Sequence, residues 1–265
     1  MRRMFVFGMG YSASFIAAAA QARGIEVVST GRSGTLSFDD EGTVRLALAD
    51  ADAVLSSVPP AGDGLDPVLE RYGDALGGKW LGYLSSTGVY GDTGGAWIDE
   101  TAPVVSAGGL GRRTARSECD AEWLTRGARV FRLPGIYGPG RSALDRVREG
   151  RARRIDLPAQ VFSRVHVVDI ATGVIAGLAA PAGAYNLADD RPASQNAVIE
   201  EACRLLGREP PPLQTLDEAG LSGSARGFYA ENRRVANGKA RRVLGWTPRY
   251  PTWREGLRAI LAAGG

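Results

Sequence analysis

Residues 4–13, MFVFGMGYSA, decide how the chain begins to fold. The apolar residues 4–7 predict a short buried strand, and residues 12–23, which are rich in alanine and followed by Gly24, predict a helix. Between them lies the spacing Gly8-x-Gly10-x-x-Ala13. A strand, a glycine-rich turn and a helix in this order predict the first unit of a parallel α/β sheet.

The glycine-rich turn indicates a site for the phosphates of a dinucleotide. Gly8 allows the tight turn, Gly10 lets the backbone approach a pyrophosphate, and Ala13 keeps the helix close to the strand. The helix N-terminus at Tyr11 and Ser12 would present free N–H groups and the positive end of the helix dipole to an anion. An ordinary strand–turn–helix built from small residues is the alternative explanation.

The residues that follow the second predicted strand favour NADP over NAD. NAD sites carry an acidic residue about 20 positions after the glycines, where it binds the ribose 2′-hydroxyl. Residues 27–38 contain no carboxylate, and Asp39 and Asp40 follow too late. Arg32 stands at that place and could pair with a 2′-phosphate. We therefore expect NADP, with NAD left open; a solvated loop arginine is the alternative for Arg32.

Strand-like and helix-like segments alternate along the first half of the chain. Strands are predicted over residues 25–29, 53–58, 80–85 and 128–133, and helices over residues 66–76 and 114–125. This alternation predicts a Rossmann-type α/β fold, a doubly wound parallel sheet with helices on both faces. Beyond Arg141, prolines interrupt the pattern, and helices are predicted over residues 194–206, 237–244 and 252–262. We expect this part to form a small C-terminal α/β lobe for the substrate.

Composition and charge argue against several classes of protein. The 265 residues are 44% hydrophobic and 23% charged, with a net charge of +3 and two cysteines that lie far apart, Cys119 and Cys203. With a single histidine and no Cys/His cluster, we expect no metal site. No stretch approaches the ~20 apolar residues of a membrane span. We expect a cytoplasmic protein that binds a small-molecule substrate, with no membrane and no nucleic acid as partner.

Two later stretches carry a resemblance to a known family. They are residues 84–91, LSSTGVYG, and residues 132–140, RLPGIYGPG. With the glycine-rich turn, they make the chain similar to the extended short-chain dehydrogenase/reductases, the NAD(P)-dependent sugar epimerase/dehydratase group. Residues 163–170 resemble the segment that re-enters the Rossmann domain, residues 185–188 a strand of the substrate lobe, and residues 237–248 the C-terminal landmark of the family.

The resemblance implies two units and a mode of association. The NAD(P)-binding Rossmann domain would comprise residues 1–140 and about 166–182. The small substrate-binding lobe would comprise residues 141–165 and 183–265. Dimers through two long helices are frequent in related proteins, so a homodimer is one expectation.

The resemblance also implies roles for individual residues. Ser86 stands where the family has its catalytic Ser or Thr, four positions before Tyr90, and Ser85 would lie beside the nicotinamide. The adenosine side would be lined by Ser57, Val58 and Pro59. Residues 134–137, with Pro134, Ile136 and Tyr137, would pass the nicotinamide carboxamide.

One part of the family pattern is missing. Family enzymes use Tyr-x-x-x-Lys, in which the lysine lowers the pKa of the tyrosine and the tyrosine moves the proton. The best alignment puts Leu110 and Thr114 at these two positions, and residues 91–136 contain neither tyrosine nor lysine. The chain therefore resembles the atypical members that keep the cofactor fold without this pair.

Three replacements for the missing pair are open. Tyr90 or Tyr137 could donate the proton, although either could instead pack as a turn residue. Arginines at the start of the helix could supply the charge of the lysine; they are Arg112, Arg113 and Arg116. Alternatively, Ser86 and water alone could assist hydride transfer. The six arginines of residues 141–154 could bind a substrate phosphate or carboxylate, or form a solvated helix face.

Two functions therefore compete. The first is an NADP-dependent oxidoreductase or epimerase-like enzyme that acts on a small, sugar-derived or anionic carbonyl or hydroxyl compound. The second is a non-catalytic dinucleotide-binding protein, a redox sensor or a scaffold. The missing general acid/base pair, worth ~10²–10⁴-fold in rate, supports the second.

Overall fold

The computed structural model describes residues 1–105, 112–221 and 223–264, and the side chains of residues 112, 113, 224 and 225 lie outside this description. The strands are β1 (Arg3–Phe7), β2 (Glu26–Ser29), β3 (Ala53–Ser56), β4 (Trp80–Ser86), β5 (Trp97–Ile98), β6 (Arg129–Leu133), β7 (Gly135–Tyr137), β8 (Arg154–Ile155), β9 (Arg164–His166), β10 (Gly183–Asn186), β11 (Leu213–Gln214) and β12 (Arg234–Val235). The α-helices are α1 (Tyr11–Gln21), α2 (Glu41–Ala49), α3 (Pro67–Tyr72), α4 (Arg112–Thr125), α5 (Ala143–Arg148), α6 (Val167–Ala176), α7 (Gln195–Leu206), α8 (Gly223–Tyr229), α9 (Gly238–Leu244) and α10 (Trp253–Ala262). Turns of 3-10 helix cover Gly73–Leu76, Thr87–Tyr90 and Gly177–Ala179.

Six parallel strands form the central sheet in the order β10-β6-β4-β3-β1-β2. The chain passes from β1 to β2 on one side and then returns to β3 on the other side of β1. This reversal opens a crevice beyond the carboxyl ends of β1 and β3, which is where open α/β sheets bind their ligands. The predicted Rossmann-type doubly wound sheet is confirmed.

Helices cover both faces of the sheet. On one face α1 and α6 pack together, and their residues Ile16 and Val174 share a buried cluster with Leu84 of β4. On the other face lie α2, α3 and α4, and the ring of Tyr83 stacks on Trp123 at 5.4 Å. Because successive side chains in a strand point to opposite faces, Ser85 lies on the same face as Tyr83, and Ser86 lies on the same face as Leu84. The two serines of LSSTGVYG therefore face different sides of the sheet.

The prediction that residues 185–188 form a strand of the substrate lobe was wrong. Strand β10 is the sixth strand of the central sheet and pairs in parallel with β6, where Tyr185 lies opposite Phe131. Both residues are buried in the cluster that α1 and α6 cover. A short apolar strand has no sequence feature that tells which sheet it joins, so the family resemblance alone had assigned it.

Several predicted boundaries also moved, and four of the described helices were not predicted. The strand expected over residues 53–58 ends at Ser56, because the side chain of Ser57 turns back to bond the carbonyl oxygen of Gly8. The helix expected over residues 66–76 ends at Tyr72 and continues as 3-10 helix. The unpredicted helices are α2, α5, α6 and α8. Asp40 caps α2 by accepting a hydrogen bond from the Thr43 N–H at 3.2 Å.

A third buried cluster holds the small lobe together. It joins α5, α7 and α10 through residues such as Leu144, Ile199 and Trp253. The two-stranded pairs β7–β9, β8–β11 and β5–β12 connect this lobe to the loops beyond the central sheet. Within the described ranges, no helix has both the length and the apolar character needed to cross a membrane.

Candidate functional site

The turn after β1 is shaped by its glycines and by β3. Gly8 has a φ of +82°, which side chains rarely tolerate, and a Cβ there would lie 3.0 Å from the Ser57 hydroxyl oxygen and 3.1 Å from Val58. The Ser57 hydroxyl donates to the carbonyl oxygen of Gly8. Ser57 and Val58 therefore fix the turn from the β3 side, while Pro59 is exposed beyond them.

The N-terminus of α1 is free to receive an anion. Its cap residue, Gly10, has no side chain to satisfy the first N–H groups, and the first turn holds no acidic residue. No atom lies within 4 Å of the place where a Cβ of Gly10 would stand, so a ligand can approach the backbone there. Tyr11 and Ser12 are half-buried at this end, and Ala13 is fully buried against the sheet.

The loop after β2 lies directly against this turn. The Met9 N–H donates to the carbonyl oxygen of Thr30 at 2.7 Å, and Gly31, with a φ of +116°, would place a Cβ 2.9 Å from the Met9 nitrogen. The next side chain, Arg32, is exposed and has no hydrogen bond or ion pair within the described ranges. Asp39 is paired with Arg71. The cation available at this corner of the crevice is therefore Arg32.

The loop that follows β6 closes over the same turn. The Tyr11 hydroxyl donates to the carbonyl oxygen of Pro139 at 3.1 Å, and a Cβ on Gly138 would collide with Tyr11 and Val167. The guanidinium of Arg141 lies 5.6 Å from the centre of the Tyr11 ring. Burial raises the pKa of Tyr11 to about 12, so its hydroxyl stays protonated. Pro134, just before β7, and Ile136 within β7 are half-buried.

The two serines of LSSTGVYG have different surroundings. Ser85 is buried, and its hydroxyl donates to Asp120 Oδ2 at 2.6 Å. Ser86 is half-buried and ends β4, where its oxygen accepts the Gly88 N–H at 3.0 Å and caps the following 3-10 turn. The hydroxyl proton of Ser86 has no acceptor within the described ranges. The Ser86 hydroxyl can therefore donate to a ligand.

Tyr90 belongs to a buried polar network. Its hydroxyl donates to Asn186 Oδ1 at 2.9 Å and accepts from Arg132 Nη1 at 3.0 Å. Arg132 in turn makes a two-pronged ion pair with Asp120, at 2.7 and 3.0 Å. Burial raises the pKa of Tyr90, and the charge of Arg132 and the hydrogen bonds with Arg132 and Asn186 only partly oppose this shift. Both sides of the Tyr90 hydroxyl are occupied by protein partners.

Tyr137 points into the small lobe. Its ring and hydroxyl pack against Gly256 of α10, where a Cβ would collide with them. Its hydroxyl is buried without a hydrogen-bond partner within the described ranges. Burial, with Asp189 and Asp169 nearby, raises the pKa of Tyr137. The structure therefore does not bring this hydroxyl together with Ser86.

The candidate replacements on α4 are only partly described. Leu110, one of the two aligned positions, lies outside the described residues, as do the side chains of Arg112 and Arg113. Thr114 is buried, and Arg116 Nη1 donates to the Tyr83 hydroxyl at 2.9 Å, on the face away from Ser86. Arg116 therefore does not take the place of the family lysine.

Sequence reasoning missed Asp120, Arg132 and Asn186. The available signal was Arg132, a charged residue between the apolar residues Phe131 and Leu133 of a predicted strand, since buried charges need a partner. Its partner is Asp120, which lies on one buried stripe of α4 with Thr114 and Ser117. That stripe is visible only once the start of the helix is known.

Comparison with known proteins extends these findings. No protein-family model matches the chain. It is 33% identical to a 3-diazoavenalumate denitrifying reductase from Streptomyces sp over 60% of this chain, a match that spans 58% of that reductase. It is 27% identical to Protein YeeZ from Escherichia coli over 95% of this chain and 97% of that protein.

Solved structures match the chain from end to end. A functionally unknown conserved protein from Silicibacter pomeroyi is 37% identical over 99% of both chains, with a TM-score of 0.87. A putative NAD-dependent epimerase/dehydratase from Methylobacillus flagellatus is 23% identical over 99% of this chain and 98% of its own, with a TM-score of 0.73. A UDP-glucose 4-epimerase from Thermus thermophilus, solved with NAD, is 19% identical over 98% of both chains, also with a TM-score of 0.73.

The closely similar and the distantly similar structures support different conclusions. The end-to-end identity to the Silicibacter protein shows a shared family, whereas the more distant epimerases and dehydratases show a shared fold. The chain therefore belongs to one family with the conserved Silicibacter pomeroyi protein, and its fold is that of the NAD-dependent epimerase/dehydratase-like members of the short-chain dehydrogenase/reductase superfamily.

Proposed function

We propose that the chain is an oxidoreductase or epimerase-like enzyme that binds NADP in preference to NAD and acts on a small, sugar-derived or anionic substrate. The observation that carries the proposal is the crevice beyond β1 and β3, where the uncapped N-terminus of α1, the open side of Gly10 and the exposed Arg32 lie together. The reductase relative and the NAD-bound epimerase support the same class of reaction.

The residues present fit a nicotinamide dinucleotide. Gly8 and Gly10 with the first N–H groups of α1 would hold the pyrophosphate, and Ser57, Val58 and Pro59 would border the adenosine. Arg32 would pair with a 2′-phosphate. When bound, the nicotinamide supplies or accepts a hydride.

Ser86 is the group we assign to the substrate oxygen. Its oxygen accepts the Gly88 N–H, and its hydroxyl proton is available for a hydrogen bond to a ligand. Tyr90, whose hydroxyl already bonds Arg132 and Asn186, would position the turn that carries Ser86 instead of moving a proton itself. Tyr137 would act through packing against α10.

Coenzyme preference is tested with Arg32→Ala. We expect this variant to bind NADPH about tenfold or more weakly, since a charge-assisted hydrogen bond is worth roughly 1.5–3 kcal/mol, while NADH binding changes little. The measurement is a fluorescence titration with each nucleotide. Arg23→Ala, which removes an exposed arginine just beyond the other end of α1, is the matched control. An equal loss of affinity for both nucleotides would refute the preference.

The assignment of Ser86 is tested by turnover. Ser86→Ala should lower kcat/KM by about 10²-fold or more for any carbonyl compound that oxidises NADPH, and Ser86→Thr, which keeps a hydroxyl, should retain most of the rate. Tyr90→Phe should destabilise the fold by about 1–3 kcal/mol, because it leaves buried polar groups unpaired, yet reduce the rate less than Ser86→Ala does. A larger rate loss in Tyr90→Phe would make Tyr90 the proton donor.

A non-catalytic sensor or scaffold remains the second candidate function. The observation that favours it is that the hydroxyls of Tyr90 and Tyr137 are both buried. That of Tyr90 belongs to a hydrogen-bond network, and that of Tyr137 packs against α10. A protein that binds NADPH tightly, turns over no member of a carbonyl panel and binds a partner only with nucleotide present would be such a sensor.

A further inference from the structure

The 3-10 turn that Ser86 caps runs directly into a loop that the backbone of Asn232 holds. The carbonyl oxygen of Asn232 accepts the N–H groups of Thr93 and Gly95 at 3.2 and 2.8 Å, and its N–H donates to Asp92 Oδ1 at 2.8 Å. Gly95 is buried with a φ of +81°, and a Cβ there would lie 3.2 Å from Asn232 Nδ2. The loop therefore packs closely on Asn232.

The side chain of Asn232 bonds a different segment, which belongs to the small lobe. Its Nδ2 donates to the carbonyl oxygen of Ala159 at 2.8 Å, and its Oδ1 accepts the Val161 N–H at 3.1 Å. The next residue, Phe162, exchanges two backbone hydrogen bonds with Ala193 at 3.0 and 3.1 Å, just before α7 begins. Asn232 therefore connects the loop after the turn to α7 of the small lobe.

Arg233 binds the end of the same turn. Its Nη1 donates to the carbonyl oxygen of Gly91 at 2.6 Å and to Glu231 Oε2 at 2.5 Å, and its backbone forms a parallel β-bridge with Phe162. The turn ends at Gly91, which is buried and donates its N–H to the carbonyl oxygen of Gly88 at 3.1 Å. The side chains of Arg233 and Glu231 are only 17% and 8% exposed. A charge-assisted hydrogen bond in such surroundings is strong, so Arg233 fixes the carbonyl at which the turn ends.

The turn that carries Ser86 is thus held at two places. The Tyr90 hydroxyl fixes it to β6 and β10 of the central sheet. Asn232 and Arg233 fix its end and the loop that follows to the small lobe. The place of the Ser86 hydroxyl therefore depends both on the sheet that would carry the dinucleotide and on the lobe that would carry the substrate.

We infer that Asn232 and Arg233 are positioning residues, which fix the Ser86 hydroxyl relative to a substrate held by the small lobe. This rests on the proposed function and adds to it the residues that align its reacting groups. A displacement of about 1 Å at a reacting group can cost roughly 10²-fold in rate. Among the described residues, neither side chain bonds the glycine-rich turn, so dinucleotide affinity should not depend on them.

The first test is Asn232→Ala, which removes the side-chain bonds to the small lobe. Asn196→Ala is the matched control, because the Asn196 side chain also bonds one N–H and one carbonyl oxygen, both of Ile155, but joins α7 to β8. Hydrogen exchange of the full chain is followed by mass spectrometry. We expect the amides of residues 84–95 to exchange about tenfold faster in Asn232→Ala, because local opening costs less, and to keep the wild-type rate in Asn196→Ala.

The second test is Arg233→Ala, with Arg226→Ala as its control. Arg226 likewise donates to one carbonyl oxygen, that of Leu216, and to one carboxylate, that of Asp217. Arg233→Lys keeps a charged donor for both partners of Arg233, so it should recover most of any loss and should fold even where Arg233→Ala does not.

Turnover separates positioning from a loss of structure. For any carbonyl compound that oxidises NADPH, Asn232→Ala and Arg233→Ala should lower kcat about tenfold or more, while the dissociation constant of NADPH stays within about twofold of the wild-type value. Unchanged exchange over residues 84–95 in Asn232→Ala, an equal change in Asn196→Ala, or equal rates in Arg233→Ala and Arg226→Ala would overturn the positioning role. Faster exchange in Asn232→Ala, together with no turnover of any carbonyl compound by the wild type, would refute the proposed function alone.

Discussion

Asp120→Asn removes one charge of the buried ion pair behind LSSTGVYG without changing the shape of the side chain. In the native structure the side chains of Arg132 and Asp120 are 5% and 2% exposed. Burial disfavours the guanidinium, yet the hydrogen bond and charge of Asp120 raise the pKa of Arg132. The variant would leave Arg132 charged, desolvated and facing an amide that offers a poorer acceptor.

The expected loss is large for a single substitution. Removal of one partner from a buried ion pair destabilises a protein by roughly 3–5 kcal/mol, because the other charge stays in the interior without compensation. For a chain of this size, each kcal/mol lowers the melting temperature by roughly 2–4 °C. We therefore expect Asp120→Asn to melt about 6–20 °C below the wild type.

Thermal and urea unfolding followed by circular dichroism measure this loss. Replacing both charges, in Asp120→Asn/Arg132→Met, should cost clearly less than the sum of the two single variants, since no lone charge remains. Glu122→Gln is the control: it breaks the exposed pair with Arg126 on the same helix and should change stability by less than about 1 kcal/mol. A loss below about 1 kcal/mol in Asp120→Asn, or additive losses in the double variant, would refute the reasoning.

Two further predictions concern α10 and its neighbours. Gly256→Ala should destabilise the fold by about 1–3 kcal/mol in urea unfolding, because the new methyl group collides with Tyr137, even though alanine favours helices. The loss should be smaller in a Tyr137→Phe background. A Gly256→Ala variant more stable than the wild type would contradict this packing. Burial raises the pKa of Asp189 to about 7 in the folded chain, whereas the pKa in the unfolded chain is roughly 4. The stability contributed by the protonated carboxyl is therefore complete below about pH 4 and is lost as the pH rises to 7. The stability of Asp189→Asn relative to the wild type should therefore increase over that range by up to about 3–4 kcal/mol, and a constant difference between the two proteins would contradict it.

The sequence was sufficient for the parts of the fold that depend on local patterns. The strand–turn–helix at Gly8 and Gly10 needs only an apolar run, two glycines and an alanine-rich segment, all of which are close together in the sequence. The placement of β10 depends instead on a partner, β6, some fifty residues earlier, and no local pattern encodes that pairing. The resemblance gave Ser86 the position of the family's catalytic Ser or Thr, and the structure has it at the end of β4, but the sequence could not tell that its neighbour Ser85 faces the other way.

The candidate tyrosines show the same limit. Each was chosen because its motif approaches the reactive end of the cofactor in the family. What a hydroxyl can do depends on its partners, and those of Tyr90 come from β6 and β10, while Tyr137 is enclosed by α10. Such contacts between distant segments are set by packing, which single-sequence reasoning does not provide.

The position of β10 has a consequence for how the molecule is made. The edge of the sheet beside β6 stays open until residue 186 has been synthesised, after the chain has already made β7, β8, β9 and α6. A fragment that stops near residue 140 would therefore lack both its sixth strand and α6, one of the two helices that cover one face, and it would expose a strand edge prone to aggregation. We expect nascent chains of this protein to gain protease resistance only late in translation, and an isolated N-terminal half not to fold stably.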